Sequence, residues 1–185
     1  TYEITPDIIT IAKGLSSGYQ PIGGSAISEK IANTLDEVGD EFSHGYTYSG
    51  HPVAAAVALE NLRIMTEERI IENVANTATY LKKKWECLSE HPMVGEARIK
   101  GMMGAIELSP NKNNRSPFKA TTGSAGLITR EICFENGLIM RHVYDRMIIS
   151  PPLVISENEI DKLTSLAWKC LDISMAKLKK EGMWA

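Results

Sequence analysis

A short apolar segment that ends in a lysine and a glycine constrains the fold of this chain more than any other feature. Five residues rich in β-branched side chains, Ile8–Ala12, are followed directly by Lys13 and Gly14. Such a run predicts a buried strand. A lysine at the end of a buried strand is held beside the core, where partial desolvation makes its amine a nucleophile toward carbonyls. The segment alone leaves open a second interpretation, in which the stem of Lys13 covers apolar surface and its charged end reaches water.

Three motifs follow one another along the chain. They are PDIITIAKG with GYQPIGG (residues 6–14 and 18–24), SHGYTYSGHP (43–52), and GLIMR with IISPPL (137–141 and 148–153). In this order they resemble the class III aminotransferases, which are pyridoxal phosphate (PLP) enzymes of the aspartate aminotransferase fold. The resemblance runs from Thr1 to about the end of the chain.

The resemblance implies an α/β architecture of two parts. Residues 1–65 would form the end of the large PLP-binding domain of a fold-type I PLP-dependent transferase, and residues 66–185 a small α+β C-terminal domain. We place the boundary near Thr66, where the sequence Thr-Glu-Glu is typical of a new helix start. The family's ring-nitrogen carboxylate, phosphate cup and ring-stacking aromatic residue all precede the lysine segment. We therefore expect this chain to be the C-terminal portion of a longer enzyme and to be inactive alone.

Local patterns predict the secondary structure around these motifs. Strands are expected over residues 6–13, 22–27, 98–108, 138–143 and 147–150. Helices are expected after Ser28, from Pro52 to about residue 66, from there to about 89, and over 124–136, where Asn136-Gly137 is a stop signal. A last helix opens at Ser156 with a capping box that Glu159 completes.

The resemblance also implies roles for individual residues. Lys13 would form the Schiff base with PLP and then move a proton during amino transfer. Tyr46 and Thr47 would contact the cofactor phosphate of the neighbouring subunit, so the enzyme would be a homodimer or a dimer of dimers with shared active sites. From the residues alone, Thr47 lies just before a helix N-terminus, a place that suits an anion. Capping of the helix that begins at Pro52 is the ordinary alternative for such a threonine.

Arg141 is the candidate for binding substrate. A guanidinium binds a carboxylate bidentately, as an amino or keto acid requires. The resemblance implies that Arg141 binds the substrate carboxylate and swings aside for substrates that lack one. A solvated arginine at a strand end is the alternative. Tyr144 and Arg146 are bulkier than expected in this segment, and they could narrow the entrance or offer a second cation, which leaves the substrate open.

Composition excludes several classes of function. The net charge of −3 gives no basic surface for nucleic acid, and no apolar run approaches the length of a membrane span. Residues 1–15 lack the pattern of a signal peptide. Cys87, Cys133 and Cys170 are odd in number and widely spaced, which indicates reduced core thiols and a cytoplasmic protein. His44 and His51 have no third ligand at a suitable spacing, so we expect no metal site.

Together these features predict PLP-dependent transfer of an amino group from an amine (an ω-amino acid, a diamine or a similar donor) to a keto acid such as pyruvate. Two alternatives remain open at this stage. One is a non-catalytic truncated paralogue or fragment that acts only by packing against a partner. The other is a different class III branch, such as an ornithine, γ-aminobutyrate or aminomutase-like activity. The amine donor and the acceptor are not fixed by the sequence.

Overall fold

The computed structural model describes residues 3–39 and 41–184, and the chain divides after Arg69 into two compact units. The elements of the first unit are β1 (Ile8–Ala12), a 3-10 turn (Lys13–Ser16), β2 (Gly23–Ile27), α1 (Glu29–Val38) and α2 (Pro52–Glu67). Those of the second are α3 (Ile70–Glu86), a 3-10 turn (Cys87–Glu90), β3 (Val94–Lys100), β4 (Met103–Leu108), α4 (Ser124–Glu135), β5 (Arg141–Val143), β6 (Arg146–Ile149) and α5 (Glu157–Lys180). The assignment of these units to a large and a small domain stays a prediction.

In the first unit, β1 pairs with β2 as a two-stranded antiparallel ribbon in which Ile11 lies opposite Gly24. The strand was expected to be buried, and this expectation is wrong for the chain as described. All five residues of β1 are exposed, with Ile8 at 57% of its maximal accessible area. The β-branched side chains favour extended backbone, but a ribbon of two strands offers them little surface to pack against. Lys13 is accordingly exposed and is not held beside a core.

The helix break near residue 66 has a different cause from the one expected. Thr66 does not cap a new helix, because it still lies in α2 and its hydroxyl donates to the carbonyl of Leu62 at 2.9 Å. The chain leaves the helical path at Glu68 and Arg69, and Arg69 has a left-handed φ of 51°. A residue in that region cannot continue a right-handed helix.

The second unit contains a four-stranded antiparallel sheet in the order β3-β4-β6-β5. Residues 98–108 were expected to form one strand, and this is wrong: they contribute to a hairpin of β3 and β4, in which Lys100 pairs with Met103. Gly101 between them has a φ of 57°, which a side chain rarely adopts and which a tight turn requires. The glycine therefore marks the reversal of the chain rather than an interruption within a strand.

One face of this sheet is buried and the other is open. Gly104, Ile106, Met147 and Ile149 alternate with exposed or half-buried neighbours, and their buried side faces the core built with α3, α4 and α5. A side chain at Gly104 would collide with the ring of buried Trp85, at 3.0 Å from its Cβ. We call the opposite side the open sheet face. The residues that alternation and register place there are Glu96, Arg98, Lys100, Met103, Ala105, Glu107, Arg141, Val143, Arg146 and Ile148.

The hairpin of β5 and β6 is fastened to the start of α4 by the carboxylate of Asp145. Its two oxygens accept the backbone N–H groups of Gly123 and Gly126, each at 3.0 Å. These N–H groups belong to the unpaired donors of a helix N-terminus, and a carboxylate there is further favoured by the helix dipole. The contact is close, because a Cβ added to Gly126 would lie 1.9 Å from the carbonyl oxygen of Tyr144. Asp145 thus caps a helix from another part of the chain.

The local helix signals agree with the structure where they depend on neighbours in sequence. Ser156 and Glu159 form the expected capping box, and α4 ends at Glu135 before Asn136 and Gly137. Of the three cysteines expected in a core, Cys133 and Cys170 are buried, whereas Cys87 is exposed at the start of the 3-10 turn that follows α3. Burial raises the pKa of the Cys133 thiol to about 12, so it stays protonated at neutral pH. None of the helices within residues 3–39 and 41–184 combines the length and apolar character needed to cross a bilayer.

We expect Gly126→Ala to lower the free energy of unfolding of the second unit by about 3 kcal/mol, because the added methyl group has no room beside Tyr144. The three tryptophans of these 185 residues, Trp85, Trp168 and Trp184, lie in this unit, so tryptophan fluorescence during urea unfolding of the 185-residue chain reports on it. Glu131→Ala, at an exposed position of the same helix, is the control and should change the stability by less than about 0.5 kcal/mol. Equal midpoints for the two variants would contradict the packing described for Gly126.

Candidate cofactor and substrate site

Lys13 begins a tight turn directly after β1. Its backbone has a φ of 49°, and Ser17 and Gly18 in the same turn also have positive φ values of 50° and 80°. Left-handed backbone is costly for a residue with a side chain, and such residues are found mostly where the surroundings hold them in place. The side chain of Lys13 is exposed, and within the described residues its amine has no carboxylate or hydrogen-bond partner. The turn therefore presents a primary amine that is free to react.

Asn61 of α2 holds this turn from outside, and the sequence analysis did not identify it. Its side-chain amide donates to the carbonyls of Gly14 at 3.0 Å and Leu15 at 3.1 Å. Its carbonyl oxygen accepts the hydroxyl of Ser17 at 2.8 Å. Three hydrogen bonds from one side chain thus fix the residues that follow Lys13. The two segments lie more than forty positions apart in sequence, so no local pattern could have predicted the contact.

Tyr46 and Thr47 lie in a turn that Ser49 closes. The hydroxyl of Ser49 accepts the N–H of Tyr46 at 2.9 Å, and the N–H of Ser49 donates to the carbonyl of Tyr46, also at 2.9 Å. Thr47 lies inside this closed turn and is exposed, and its hydroxyl has no hydrogen-bond partner within the described part of the chain. Thr47 does not cap the helix that follows, because His51 is the N-cap and its Nδ1 accepts the N–H of Ala54 at 3.5 Å. The ordinary capping interpretation of Thr47 is therefore wrong.

The two loop histidines have ordinary roles in this structure. His51 caps α2, and its ring lies 6.2 Å from that of Tyr48. His44 lies between the rings of Phe42 and Tyr46, with centroid distances of 5.8 Å to each. Over residues 3–39 and 41–184, no group of three or more histidine, cysteine, aspartate or glutamate side chains is arranged to hold a metal ion.

A cavity brings the Tyr46 turn next to the glycine segment that follows Lys13. Its volume is about 440 Å³, and its walls are residues 21–23 on one side and Tyr46, Tyr48 and His51 on the other. A small-molecule site is typically a concavity of about this size, roughly 300–1,000 Å³. The first unit therefore contains this cavity as well as the exposed amine of Lys13 and the exposed hydroxyl of Thr47, although neither of these two residues lines the cavity.

Arg141 lies in the second unit, at the start of the edge strand β5. Its register partner on β6 is Ile148, so its side chain belongs to the open sheet face. It is exposed, and among the described residues no carboxylate pairs with it. An unpaired guanidinium on an edge strand can bind a carboxylate without first losing another partner. The arrangement agrees with a carboxylate-binding role as well as with a solvated arginine.

Arg146, the competing cation, is already engaged. Its guanidinium pairs with the carboxylate of Glu107, with Nη2 and Oε1 3.5 Å apart. The two residues are directly opposite each other in the ladder of β4 and β6. Glu107 was not identified from the sequence, because its position opposite Arg146 depends on the register between two strands separated by almost forty residues. Tyr144, at the tip of the hairpin with a φ of 52°, is exposed.

These residues fit part of what PLP requires. Lys13 has an exposed amine that could attach the cofactor covalently, and Thr47 has an exposed hydroxyl that could contact its phosphate. The structure brings Lys13, Tyr46 and Thr47 into the first unit and places Arg141 in the second. The groups present would therefore suit the attachment of the cofactor and one contact to its phosphate.

Comparisons with known proteins agree with this chemistry. Residues 1–171 match the family model for class III aminotransferases. A putrescine–pyruvate aminotransferase of Pseudomonas aeruginosa is 57% identical over 176 residues, which are 95% of this chain and 38% of that protein. A probable γ-aminobutyrate transaminase 3, mitochondrial, of Oryza sativa subsp. indica is 38% identical over 96% of this chain and 36% of its own length. The crystal structure of an (S)-enantioselective omega-transaminase from Thermomicrobium roseum superposes with a TM-score of 0.87 at 41% identity, covering 94% of this chain and 38% of that one. The chain thus spans less than half the length of the proteins that it matches.

We expect Thr47→Ala to weaken PLP binding by the complete protein by about 1.5–3 kcal/mol, the scale of a hydrogen bond to a charged group. Thr47→Ser keeps the hydroxyl and should bind PLP nearly as well as the natural protein. Thr34→Ala is the matched control, because the Thr34 hydroxyl donates only to the backbone of its own helix. Titration of the apoprotein with PLP, followed by absorbance, gives the affinities. An unchanged affinity for Thr47→Ala would exclude a phosphate contact by this hydroxyl.

Proposed function

This chain belongs to the class III aminotransferase family, and we propose that the protein of which it forms a part transfers an amino group from a small amine to pyruvate. The observation that carries the proposal is the 57% identity over 95% of this chain to a putrescine–pyruvate aminotransferase. Putrescine-like diamines are therefore the proposed donors. The exposed amine of Lys13 and the unpaired guanidinium of Arg141 give the chain the two groups that such a reaction needs from it.

The proposed reaction exchanges an amino group for a carbonyl oxygen. In the net reaction the donor exchanges its amino group and one hydrogen for a carbonyl oxygen and becomes an aldehyde. The keto acid exchanges its carbonyl oxygen for the amino group and one hydrogen and becomes an amino acid. When bound, PLP supplies an electron sink that carries the amino group between the two substrates. The role of the chain is to bind, to orient and to move the proton.

Lys13 would attach the cofactor covalently and afterwards act as the base. Once free, its Nζ would take and hold the proton of the amine-bearing carbon of the donor. This needs an amine whose path is short and fixed. The hydrogen bonds of Asn61 to Gly14 and Leu15 hold the turn from which the Lys13 side chain starts.

Tyr46 and Thr47 would bind the phosphate of the cofactor in a neighbouring subunit. The closed turn at Ser49 keeps Thr47 exposed, as a contact across subunits requires. A homodimer or a dimer of dimers with shared active sites is therefore part of the proposal. We also propose a location in the cytoplasm. The first unit would be the end of a large PLP-binding domain, and the second unit a small C-terminal domain. We expect the 185 residues alone not to catalyse the reaction.

Arg141 would bind the carboxylate of pyruvate and leave the site open to donors without one. An unpaired arginine on an edge strand has the freedom that this exchange demands. The γ-aminobutyrate branch is the second candidate, supported by relatives that are 38% identical over most of the chain. The remaining alternative is a non-catalytic role in which the chain only packs against a partner. The borohydride experiment below tests for it.

Reduction of the complete holoprotein with borohydride should leave the pyridoxyl group on Lys13, because a reduced imine no longer releases its lysine. Peptide mapping by mass spectrometry identifies the labelled residue. Lys13→Arg keeps the charge and should abolish the label, whereas Lys30→Arg, an exposed lysine of α1, should retain it. A label on another lysine, or none in a protein that has bound PLP, would refute the catalytic proposal.

Arg141→Ala in the complete enzyme should slow the half-reaction with pyruvate about ten- to a hundredfold, the scale of one lost charge-assisted hydrogen bond. The half-reaction with the amine should change much less, since a diamine has no carboxylate to bind. Single-turnover absorbance measurements separate the two half-reactions. Arg146→Ala is the control, because that arginine is paired with Glu107. Equal losses in both half-reactions, or a selective loss only in Arg146→Ala, would mean that another residue binds the carboxylate.

A further inference from the structure

We propose that Glu107 determines which keto acids the enzyme accepts: by neutralising Arg146, it leaves Arg141 as a single carboxylate-binding cation and so selects monocarboxylic acceptors such as pyruvate over dicarboxylic ones. This inference rests on the proposed function and assigns a role to a residue outside the resemblance motifs. Glu107 would be a specificity-determining residue that acts through Arg146.

The first step is the placement of the two arginines. Arg141 lies opposite Ile148, and Arg146 is two residues before Ile148 on the same strand. Both arginines therefore lie on the open sheet face as diagonal neighbours across β5 and β6. Diagonal neighbours in an antiparallel pair are roughly 7–8 Å apart at their backbones, a separation that long side chains bridge easily. Two free guanidinium groups at this spacing could bind both ends of one dicarboxylic acid.

The second step is the difference between their partners. Arg141 has no carboxylate partner among the described residues, whereas Arg146 pairs with Glu107 at 3.5 Å. The pair is only partly exposed, with 44% of the Arg146 side chain and 31% of the Glu107 side chain accessible. An arginine that is already paired with a carboxylate forms a nearly neutral ion pair, which attracts a second carboxylate only weakly. The positive charge of Arg146, beside Arg141, is thus neutralised as long as Glu107 is present.

The third step is that Glu107 pairs with no second cation among the residues that the structure describes. The other carboxylate of this row, Glu96, lies directly opposite Glu107 and pairs with Arg98 at 3.4 Å and with Arg115 at 3.0 Å. Arg98 and Arg115 are thus both paired with Glu96. Removal of the Glu107 carboxylate would therefore uncover Arg146 alone, and no neighbouring carboxylate in the described sheet is free to replace it.

The test compares two acceptors with the complete enzyme. Turnover is measured with putrescine as donor and with pyruvate or 2-oxoglutarate as acceptor, and kcat/KM is determined for each. In Glu107→Gln we expect the ratio of 2-oxoglutarate to pyruvate kcat/KM to rise about tenfold, the gain of one added hydrogen bond between charged groups. The amino group and hydrogen that are transferred stay the same, and only the acceptor differs.

Three further variants make the result specific. The double variant Glu107→Gln/Arg146→Met removes the uncovered cation and should return the ratio to that of the natural enzyme. Glu96→Gln removes a carboxylate from the same row and should leave the ratio unchanged. Glu107→Thr suits a strand and repeats the test if the glutamine variant folds poorly. If Glu107 had only a structural role, both kcat/KM values would fall together and the ratio would not move.

An unchanged ratio in both Glu107 variants would overturn this inference, as would a raised ratio that persists in the double variant. Either result would leave the proposed function intact, provided that the natural enzyme turns over pyruvate. Absence of turnover with pyruvate and putrescine in the natural enzyme would instead refute the proposed function itself. The two failures are therefore distinguishable in one set of measurements.

Discussion

The hydrogen bonds of the Asp145 carboxylate to the start of α4 are the interaction on which the candidate substrate site depends. They satisfy two helix N–H groups that have no intrahelical partner, at 3.0 Å each. The backbone carbonyl of the same residue accepts the N–H of Leu108 at 2.8 Å. One residue thus joins a helix, a hairpin and the neighbouring strand β4. Because Arg141 and Arg146 lie on the two arms of that hairpin, their spacing follows from how Asp145 is held.

The first unit also has a turn with left-handed backbone that a polar side chain stabilises, but the side chain is a different one. Lys13 and Tyr144 both occupy left-handed backbone at the tight turns that follow β1 and β5, a conformation that is costly without support from the surroundings. At Tyr144 the support is the carboxylate of the next residue, bound to a helix N-terminus. At Lys13 it is the amide of Asn61, which bonds the two carbonyls that follow the lysine. In both cases a polar side chain fixes the backbone so that a neighbouring functional side chain can remain exposed.

Sequence reasoning succeeds here where the deciding contacts are local. The capping box of Ser156 and Glu159 involves residues three positions apart, and its pattern predicts it directly. It fails where a contact joins distant segments: the composition of β1 predicts a strand, but whether that strand is buried depends on what packs against it. The roles of Asn61 and Asp145 were not predicted either, since each depends on a partner 19 to 47 positions away. Lys13, Thr47 and Arg141 were proposed as site residues mainly because family motifs mark them, and their roles stay predictions.

The open sheet face carries more charge than stability alone would explain. Glu96 and Glu107 are directly opposite each other, and like charges in that position destabilise a sheet. Ion pairs at this degree of exposure contribute about 0–1 kcal/mol each, so the pairs with Arg98, Arg115 and Arg146 do little more than offset the repulsion. A row of threonines would hold the strands at least as well. What the paired charges change is the electrostatic potential beside Arg141, since Arg98, Arg115 and Arg146 each pair with a glutamate of this face whereas Arg141 pairs with none among the described residues. These charged residues are therefore better explained by control over where an anion binds on the open sheet face than by a contribution to folding stability.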